Sequence, residues 1–291
     1  MIISAIHLLL TYQCTYECDH CFVWGSPRQT GVMTLSEIRR ILRQAETTEA
    51  VKGIFFEGGE PFLYYPILLH GVRDAAQRGF QVGVVTNGYW ATGEEDACAW
   101  LEPLAGSLHS LSVSCDPYHG DEELAEQAHR AAAAAEQVGI GVGTISVAQP
   151  GDEDTSLSPL MFRGRAVEKL APGAPSRPAG VFTECPYEDL SDPGRVHVDP
   201  FGHIHLCQGI SLGNLFRTPL SELCAGFDPG AHPVIGPLVA GGPAELARQH
   251  AVEPEGGYAD ACHLCYEVRR ALRPRFPPTL TPDSMYGMFG E

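Results

Sequence analysis

The sequence predicts an α/β fold built on a parallel β-sheet. Strand-like apolar runs alternate with helical segments from residue 1 to about 148, and the connections between them are short. Alternating strands and helices of this kind form parallel sheets with right-handed crossovers. The order of the segments is compatible with a doubly wound sheet and with a barrel, complete or partial. In both architectures the functional groups collect beyond the C-terminal ends of the strands.

The individual elements follow from local patterns. A first helix is predicted at residues 34–46, because Thr34 and Glu37 form a capping-box pattern and the apolar residues after them share one face. Further helices are expected at residues 66–78, 93–105 and 121–138. Runs of strand length are expected at Ile3 to Thr11, Val51 to Glu57, Val82 to Thr86, Leu108 to Ser114 and Ile140 to Val147.

The character of the sequence changes after residue 148. Residues 149–184 are rich in Pro and Gly, and residues 185–291 hold the strand-like stretches RVHVD and HIHLC and the helical stretch DACHLCYEVRRALR. Four cysteines are the organising feature of this second region. The sequence therefore predicts two domains, residues 1–170 and residues 171–291.

The bulk properties exclude several classes of partner. The 291-residue chain carries a net charge of −17, and such an acidic chain repels polyphosphate, so no nucleic acid is expected as a partner. The first twelve residues lack the basic region and the cleavage site of a signal peptide, and no apolar run reaches membrane-spanning length. We therefore expect a cytoplasmic protein without membrane association, whose ten cysteines are metal ligands rather than disulfides.

Three of these cysteines lie close together, directly after the first predicted strand. Cys14, Cys18 and Cys21 fall within the stretch TYQCTYECDHC. Three thiolates at this spacing can hold a cubane iron–sulfur cluster, and because the cluster has four irons, one iron stays open for a small molecule. A zinc site needs four ligands, so the alternative is zinc with His20 as the fourth ligand, or three unrelated cysteines.

The stretch EGGEP, residues 57–61, follows the second predicted strand. Its glycines permit a close approach of the backbone to a ligand, and its acidic side chain complements an ammonium group. With the cysteine trio, this stretch resembles the radical S-adenosylmethionine (SAM) superfamily. The resemblance implies a partial (β/α)6 barrel of TIM-like type. It also implies a [4Fe–4S] cluster that binds SAM and cleaves it to a 5′-deoxyadenosyl radical, which abstracts a substrate hydrogen.

The resemblance assigns cofactor-binding residues as well. By the family's motif, Gly58, Gly59 and Glu60 lie against the methionine amino group of SAM, and Glu57 and Pro61 flank them within the same motif. His20, before the last cysteine of the trio, takes the place of a residue that packs near the adenine.

The fourth predicted strand supplies further polar candidates. Alternation places Ser112, Ser114 and Asp116 on one face, which we expect to point into the barrel. Ser114 resembles the polar residue that often reaches SAM at this strand end, and Ser112 is a second cofactor-binding candidate. Asp116 and His119 are candidate catalytic groups for substrate binding or proton transfer. Their alternative is a loop-capping aspartate and a surface histidine. The stretch TNG at residues 86–88 also follows a strand, where a turn alone would explain it.

A second set of four cysteines lies in the C-terminal region: Cys185, Cys207, Cys262 and Cys265. Four thiolates suit structural zinc and also a fully ligated iron–sulfur cluster. Together with residues 198–223, this set resembles the twitch form of the SPASM module. The resemblance implies one auxiliary [4Fe–4S] cluster held by all four cysteines, with electron transfer as its task.

The stretch RGRA, residues 163–166, resembles a GRA element of the same branch of the superfamily. Arg165 is therefore a catalytic candidate that contacts a carboxylate or an oxygenated substrate, or that stabilises a developing alkoxide. The alternative is a surface salt bridge.

Three functions are consistent with these features. The first is a radical SAM enzyme that oxidises a small polar metabolite and passes an electron to the auxiliary cluster, as the twitch resemblance implies. The second is a radical SAM enzyme that modifies a peptide by thioether formation, C–C crosslinking or epimerisation. The third is a non-catalytic iron–sulfur or zinc protein. Both enzymes would need an electron donor such as flavodoxin or ferredoxin.

Overall fold

The computed structural model describes residues 1–120, 122–149 and 157–289. Within these ranges the strands, in chain order, are β1 (Ala5–Thr11), β2 (Gly53–Gly58), β3 (Gln81–Thr86), β4 (Ser110–Ser114), β5 (Gly141–Ile145), β6 (Arg177–Pro178), β7 (Arg195–Val198), β8 (His203–Cys207), β9 (Ile210–Asn214) and β10 (Gly257–Tyr258). The α-helices are α1 (Leu35–Glu46), α2 (Tyr65–Gln77), α3 (Glu94–Leu101), α4 (Glu122–Gln137), α5 (Arg165–Lys169), α6 (Leu220–Gly226), α7 (Ile235–Gln249) and α8 (Ala261–Leu272).

Eight strands form the main sheet, in the order β5-β4-β3-β2-β1-β7-β8-β9. The first five are parallel and each lies beside its neighbour in the chain. A doubly wound sheet reverses its strand order at a switch point, and β1 to β5 show no such reversal. Right-handed crossovers that all advance in one direction place α1 to α4 on the same face, as in a barrel wall. The predicted α/β fold of partial-barrel type is therefore confirmed.

The C-terminal region continues this sheet. β7 pairs with β1 in parallel, with His7 opposite His197, and β8 and β9 follow as antiparallel neighbours. The sheet thus has six parallel strands, and β5 and β9 are its two ends in the described part of the chain. Because β7 belongs to the region predicted as a second domain, the sheet crosses the boundary predicted at residue 170. That division remains a prediction.

The first helix shows how local sequence determines these elements. The Thr34 hydroxyl accepts a hydrogen bond from the Glu37 backbone N–H, and the Glu37 carboxylate accepts one from the Thr34 N–H at 2.7 Å. This capping box satisfies two amide groups at the start of α1, as predicted. The buried residues of the helix are Ile38, Ile41, Leu42 and Ala45.

Strand β1 lies between β2 and β7 and supplies the centre of the core. Its side chains Ile6, Leu8 and Leu10 are fully buried, whereas His7, on the opposite face, is partly exposed. Side chains two residues apart point to the same face of a strand. One face of β1 therefore packs in the core, and the other face carries the partly exposed His7 beside the buried Leu9. No helix in the described ranges is long and apolar enough to cross a membrane.

A buried carboxylate connects β1 with the β7–β8 hairpin. Asp199 accepts hydrogen bonds from the backbone N–H groups of Phe201 and His203 and, at 3.1 Å, from the Tyr12 hydroxyl. Burial alone would raise the pKa of Asp199, but hydrogen bonds and charge from His203 and His205 outweigh it, and the pKa lies below its usual range. The ionised carboxylate is therefore the form that stabilises this junction.

We expect Asp199→Asn to lower the thermal unfolding midpoint at pH 7 by roughly 5 to 10 °C, because it breaks a buried, charge-assisted network. A carboxylate whose pKa is depressed by folding stabilises the protein above its unfolded pKa of about 3.9 and loses this contribution as pH falls. In melting curves between pH 7 and pH 2, the wild type should keep its advantage down to about pH 4 and approach the variant only below it. Asp74→Asn, which removes an exposed partner of Arg39, is the control and should change the midpoint little. An Asp199 variant that melts like the wild type at pH 7 would contradict this role.

Candidate functional site

The three cysteines that follow β1 line one cavity at the C-terminal ends of the parallel strands. Cys14, Cys18 and Cys21 share this cavity with Gly58, the last residue of β2, and with Gly59, which follows it. Other lining side chains come from alternate positions of the strands and from the segment before α5, among them Val85, Ser114, Ile145, Met161 and Arg163. The cavity therefore lies beyond the C-terminal ends of the parallel strands, where the functional groups were predicted.

The environment of Cys14 and Cys18 favours the protonated form of these two thiols when no metal is bound. Burial raises the pKa of Cys14 to about 12, with a further contribution from the charge of Glu60. Burial and the neighbouring cysteines raise the pKa of Cys18 above its usual range. Thiolates are the metal-binding form, so a metal must displace these protons when it binds.

The segment from Gly164 to Arg165 holds the cysteine loop from one side. The backbone N–H of Arg165 donates to the Cys21 carbonyl at 3.0 Å, and its guanidinium donates to the carbonyls of Cys18 and Gly25, both at 2.7 Å. Gly164 has φ +61°, and a Cβ there would lie 2.6 Å from the Cys21 carbonyl oxygen. Arg165 is buried against the loop and is not among the residues that line the cavity. Its predicted contact with substrate remains a prediction, and this geometry gives it a structural role.

The glycines of the EGGEP stretch hold the loop from the other side. A Cβ on Gly59 would lie 2.1 Å from the Gln13 carbonyl oxygen, and a Cβ on Gly58 would lie 2.4 Å from that of Thr11. The Gly59 N–H donates to the Thr11 carbonyl at 2.7 Å. The glycines are thus required by the close approach of two backbone segments, in addition to their position in the cavity wall.

The acidic residues of the same stretch differ in what they contact. Glu60 is fully buried, and its carboxylate accepts hydrogen bonds from the N–H groups of Phe62 and Asn87 and from the Thr86 hydroxyl. Burial raises the pKa of Glu60 to about 7, although these hydrogen bonds oppose the rise. Glu57 lines the cavity, whereas Glu60 and Pro61 do not. Glu60 therefore joins the ends of β2 and β3, and its predicted contact with SAM remains untested.

The polar groups after β4 form a cluster with His20. Ser114, His20 and His119 line the cavity, whereas Ser112 and Asp116 do not. Asp116 lies behind the two histidines, with its carboxylate 2.9 Å from His119 Nδ1 and 3.8 Å from His20 Nε2.

Burial and charge interactions within this cluster shift the pKa values of His20 and Asp116. Burial and the charge of His119 lower the pKa of His20 to about 4. Burial would raise the pKa of Asp116, but His119 and His20 outweigh it and the pKa is lowered. Asp116 is therefore an ionised carboxylate beside the cavity. It also accepts hydrogen bonds from the backbone N–H groups of Tyr118 and Val147, which is the loop-capping role considered as an alternative.

Asn87 and Arg163 are among the cavity residues that the sequence did not predict. Asn87 lies in the TNG stretch; its side chain donates to the Thr15 hydroxyl at 2.9 Å and lies 3.6 Å from the Cys14 sulfur. Arg163 is two residues before Arg165 in the RGRA stretch and is buried. A turn after a strand and a second arginine in a motif were the available signals, but neither reveals the direction of a side chain.

The four C-terminal cysteines come together around a second, smaller cavity. Cys185, Cys207, Cys262 and Cys265 line it together with Arg163 and Arg269. Cys262 and Cys265 lie in the first turns of α8, where the positive end of the helix dipole favours thiolates. Burial raises the pKa of Cys262 and Cys265, while charge from the two arginines opposes the rise.

Arg163 is the side chain that both cavities share. Its guanidinium lies 3.7 Å from the Cys207 sulfur and 3.4 Å from Glu188, and it stacks over the Phe22 ring. Burial would lower the pKa of Arg163, but the charges of Cys207 and Cys262 outweigh it, and the pKa is raised. Its Nε is buried without a hydrogen-bond partner. Arg163 is therefore a permanent cation between the two cysteine sets.

Comparison with characterised proteins shows partial similarities. The peptide biosynthesis protein YydG of Bacillus subtilis is 26% identical over 117 residues, which are 40% of this chain and 37% of YydG. An S-adenosylmethionine-dependent nucleotide dehydratase of Selenomonas ruminantium is 31% identical over 83 residues, which are 28% of this chain and 29% of the relative. The chain thus spans about a third of the length of these relatives.

Two solved structures share the fold. The crystal structure of BtrN in complex with AdoMet and 2-DOIA matches with a TM-score of 0.52 and 18% identity, over 77% of this chain and 82% of that one. Native anSMEcpe with bound AdoMet and the Cp18Cys peptide matches with a TM-score of 0.51 and 13% identity, over 94% and 97% of the two chains. At these identities the likeness shows the fold alone.

The family match covers the part of the chain that builds the first cavity. The sequence profile described as the radical SAM superfamily matches residues 8–162, a little over half of the chain. This range contains the cysteine trio, the EGGEP stretch and strands β2 to β5. The protein belongs to the radical SAM superfamily.

Proposed function

We propose that this protein is an enzyme that oxidises a small polar metabolite by radical SAM chemistry, with an auxiliary [4Fe–4S] cluster as electron acceptor. Membership of the superfamily implies SAM and one [4Fe–4S] cluster. The observation that supports an oxidation is that Arg163 lines both cavities. Because Arg163 borders both cavities, the two cavities are adjacent, and an electron can pass from a substrate in the first cavity to the second.

The first cavity fits a cluster with one open iron. Among the described residues, the groups of three ligands whose atoms all lie within 4.8 Å of one another contain no cysteine trio. A zinc ion with Zn–S bonds of about 2.3 Å would need its sulfurs roughly 3.8 Å apart. A four-iron cluster is larger than one ion and is held by ligands that stand further apart, so Cys14, Cys18 and Cys21 suit the cluster.

The second cavity fits a cluster whose ligand shell is complete. It contains four cysteines, and their thiols also do not converge on the spacing of a single ion. Arg163 and Arg269 supply two buried positive charges beside these sulfurs. Positive charge near a cluster stabilises its reduced, more negative state, which suits an electron acceptor.

The oxidation of an alcohol to a ketone removes a hydrogen atom, a proton and an electron from the substrate. SAM and its cluster supply, when bound, the 5′-deoxyadenosyl radical that takes the hydrogen atom. His119 lines the cavity and accepts the proton, and Asp116, 2.9 Å from its Nδ1, stabilises the imidazolium that forms. Arg163 stabilises the alkoxide that develops on the substrate oxygen and lies on the side from which the electron leaves.

Modification of a peptide is the second candidate. It is favoured by the similarity to a protein named for peptide biosynthesis, which extends over 40% of this chain. Deuterium transfer separates the two candidates. A labelled amino sugar or cyclitol that transfers deuterium into 5′-deoxyadenosine supports the first, and transfer from a labelled peptide alone supports the second.

Cysteine variants test the two cluster assignments. We expect Cys18→Ala to abolish SAM cleavage, because the cluster that reduces SAM loses a ligand. Cys262→Ala should spare SAM cleavage and stop product formation, because the electron acceptor is lost. The measurements are 5′-deoxyadenosine, product and iron per chain, after anaerobic reconstitution. Cys98→Ala, on α3 and outside both cavities, is the matched control. Full product formation by Cys262→Ala would remove the auxiliary cluster from the mechanism.

Arg163 variants test the coupling between the cavities. Arg163→Gln should reduce product formation at least tenfold while 5′-deoxyadenosine formation stays within about threefold of the wild type. It should also lower the reduction potential of the auxiliary cluster in an EPR-monitored titration, because a buried cation is lost beside Cys207. Arg163→Lys keeps the charge and should restore most of the potential. Arg177→Gln removes an exposed cation and serves as the control. An unchanged potential in Arg163→Gln would rule out this electrostatic role.

A further inference from the structure

Two histidines and a glutamate meet on three neighbouring strands of the sheet. His7 is on β1, Glu57 is on β2 and His197 is on β7. His7 pairs directly with His197 across the β1–β7 ladder, and Glu57 pairs with Leu9, two residues along β1 from His7. Since residues two apart point to one face of a strand, the three side chains project from the same face. Glu57 also lines the first cavity, so this group, called the His–Glu–His group below, borders that cavity.

The ligand atoms of this group converge. His7 Nδ1 lies 3.4 Å from one carboxylate oxygen of Glu57, and His197 Nε2 lies 3.1 Å from the other. All three ligand atoms lie within 4.8 Å of one another. In a tetrahedral zinc site with bonds of about 2.0 to 2.2 Å, neighbouring ligand atoms are roughly 3.3 to 3.5 Å apart. The two contacts with Glu57 are close to that spacing.

The group is also left without the hydrogen bonds that buried polar atoms usually make. His7 Nδ1 and Glu57 Oε1 are both buried and have no hydrogen-bond partner. Such atoms are rare in folded proteins, because an unsatisfied buried polar group destabilises the fold. Both atoms belong to the same His–Glu–His group, and a metal ion bound there would accept a lone pair from each of them.

Aromatic side chains fix the orientation of both imidazoles. Phe55, on β2, stacks on the His7 ring with 4.6 Å between the ring centroids and 17° between the planes. Phe22 meets the His197 ring edge-on at 6.3 Å. Rings held by packing lose little further freedom when they bind a metal, which favours a preformed site.

A second group of similar composition, His20, Asp116 and His119, also has two buried imidazole nitrogens without a hydrogen-bond partner, but its carboxylate differs from that of Glu57. There the carboxylate accepts hydrogen bonds from the backbone N–H groups of Tyr118 and Val147. The carboxylate of Asp116 is thus already satisfied by the protein, whereas that of Glu57 retains an unpaired oxygen. The comparison selects the His–Glu–His group.

We propose that His7, Glu57 and His197 bind a divalent transition-metal ion of the zinc type, at a site separate from both cysteine sets. Two imidazoles and one carboxylate are the donor set of zinc sites that keep a fourth position open. Glu57 also lines the first cavity, so the proposed metal site borders that cavity. This site does not depend on the oxidative function proposed above.

The test uses zinc itself and the cluster-loaded protein, in which iron already occupies the thiols. After incubation with zinc and gel filtration, elemental analysis should find one zinc per chain in addition to the iron. Zinc K-edge X-ray absorption should show nitrogen and oxygen neighbours at about 2.0 to 2.2 Å and no sulfur shell at about 2.3 Å. A sulfur shell, or zinc below one tenth per chain, would overturn the proposal.

Matched variants locate the site. His197→Gln and His7→Gln should each weaken zinc binding at least tenfold, while iron per chain stays at the wild-type value and reports an intact fold. His70→Gln, an exposed position on α2, should bind zinc as the wild type does. Wild-type affinity in both ligand variants would overturn the assignment. If a variant lacks iron because it misfolds, the absorption spectrum of the wild type still decides between nitrogen and sulfur ligands.

Discussion

The backbone of Gly59 lies so close to the Gln13 carbonyl that no side chain could be accommodated between them. Four hydrogen bonds accompany this approach. The Gly59 and Glu60 N–H groups donate to carbonyls at the end of β1 and just after it, and the Glu60 carboxylate accepts hydrogen bonds from two donors at the end of β3. The ends of three parallel strands are thereby fixed relative to the loop that carries Cys14. Backbone contacts therefore determine the position of the loop that carries Cys14.

The two arginines of the RGRA stretch have different roles: Arg165 holds the cysteine loop, and Arg163 supplies a positive charge between the cavities. Arg165 points back to the cysteine loop and donates to two of its carbonyls. Arg163, two residues earlier, points to the space between the cavities and lies near Cys207. Gly164 between them packs directly on Cys21 and Phe22. One short stretch thus joins the loop of the first cysteine set to the wall of the second, and both sites depend on its conformation.

The electrostatics of the two cavities follow from burial. Burial raises the thiol pKa values of Cys14, Cys18, Cys185 and Cys262. These thiols are therefore neutral when no metal is bound, and metal binding releases their protons. Carboxylates in the same region are ionised where histidines or backbone N–H groups surround them, as at Asp116 and Asp199. The acidic chain therefore keeps its buried negative charges where donors are already in place.

The sequence by itself determined the α/β class, the order of the first five strands and of the four helices between them, and the cysteines that could hold iron. These follow from periodicity, from the capping box of α1 and from the spacing of cysteines, all of which are local properties. The tertiary structure decided which side chains reach the cavity. In the tertiary structure Arg163 lines the cavity and Arg165 does not, and the Glu60 side chain points away from the cavity, toward the Asn87 backbone N–H. The tertiary structure also joined β7 to β1, which brought His7 and His197 together from positions 190 residues apart in the chain. Such meetings depend on long-range strand pairing and on rotamers selected by packing, and neither is encoded in a local pattern.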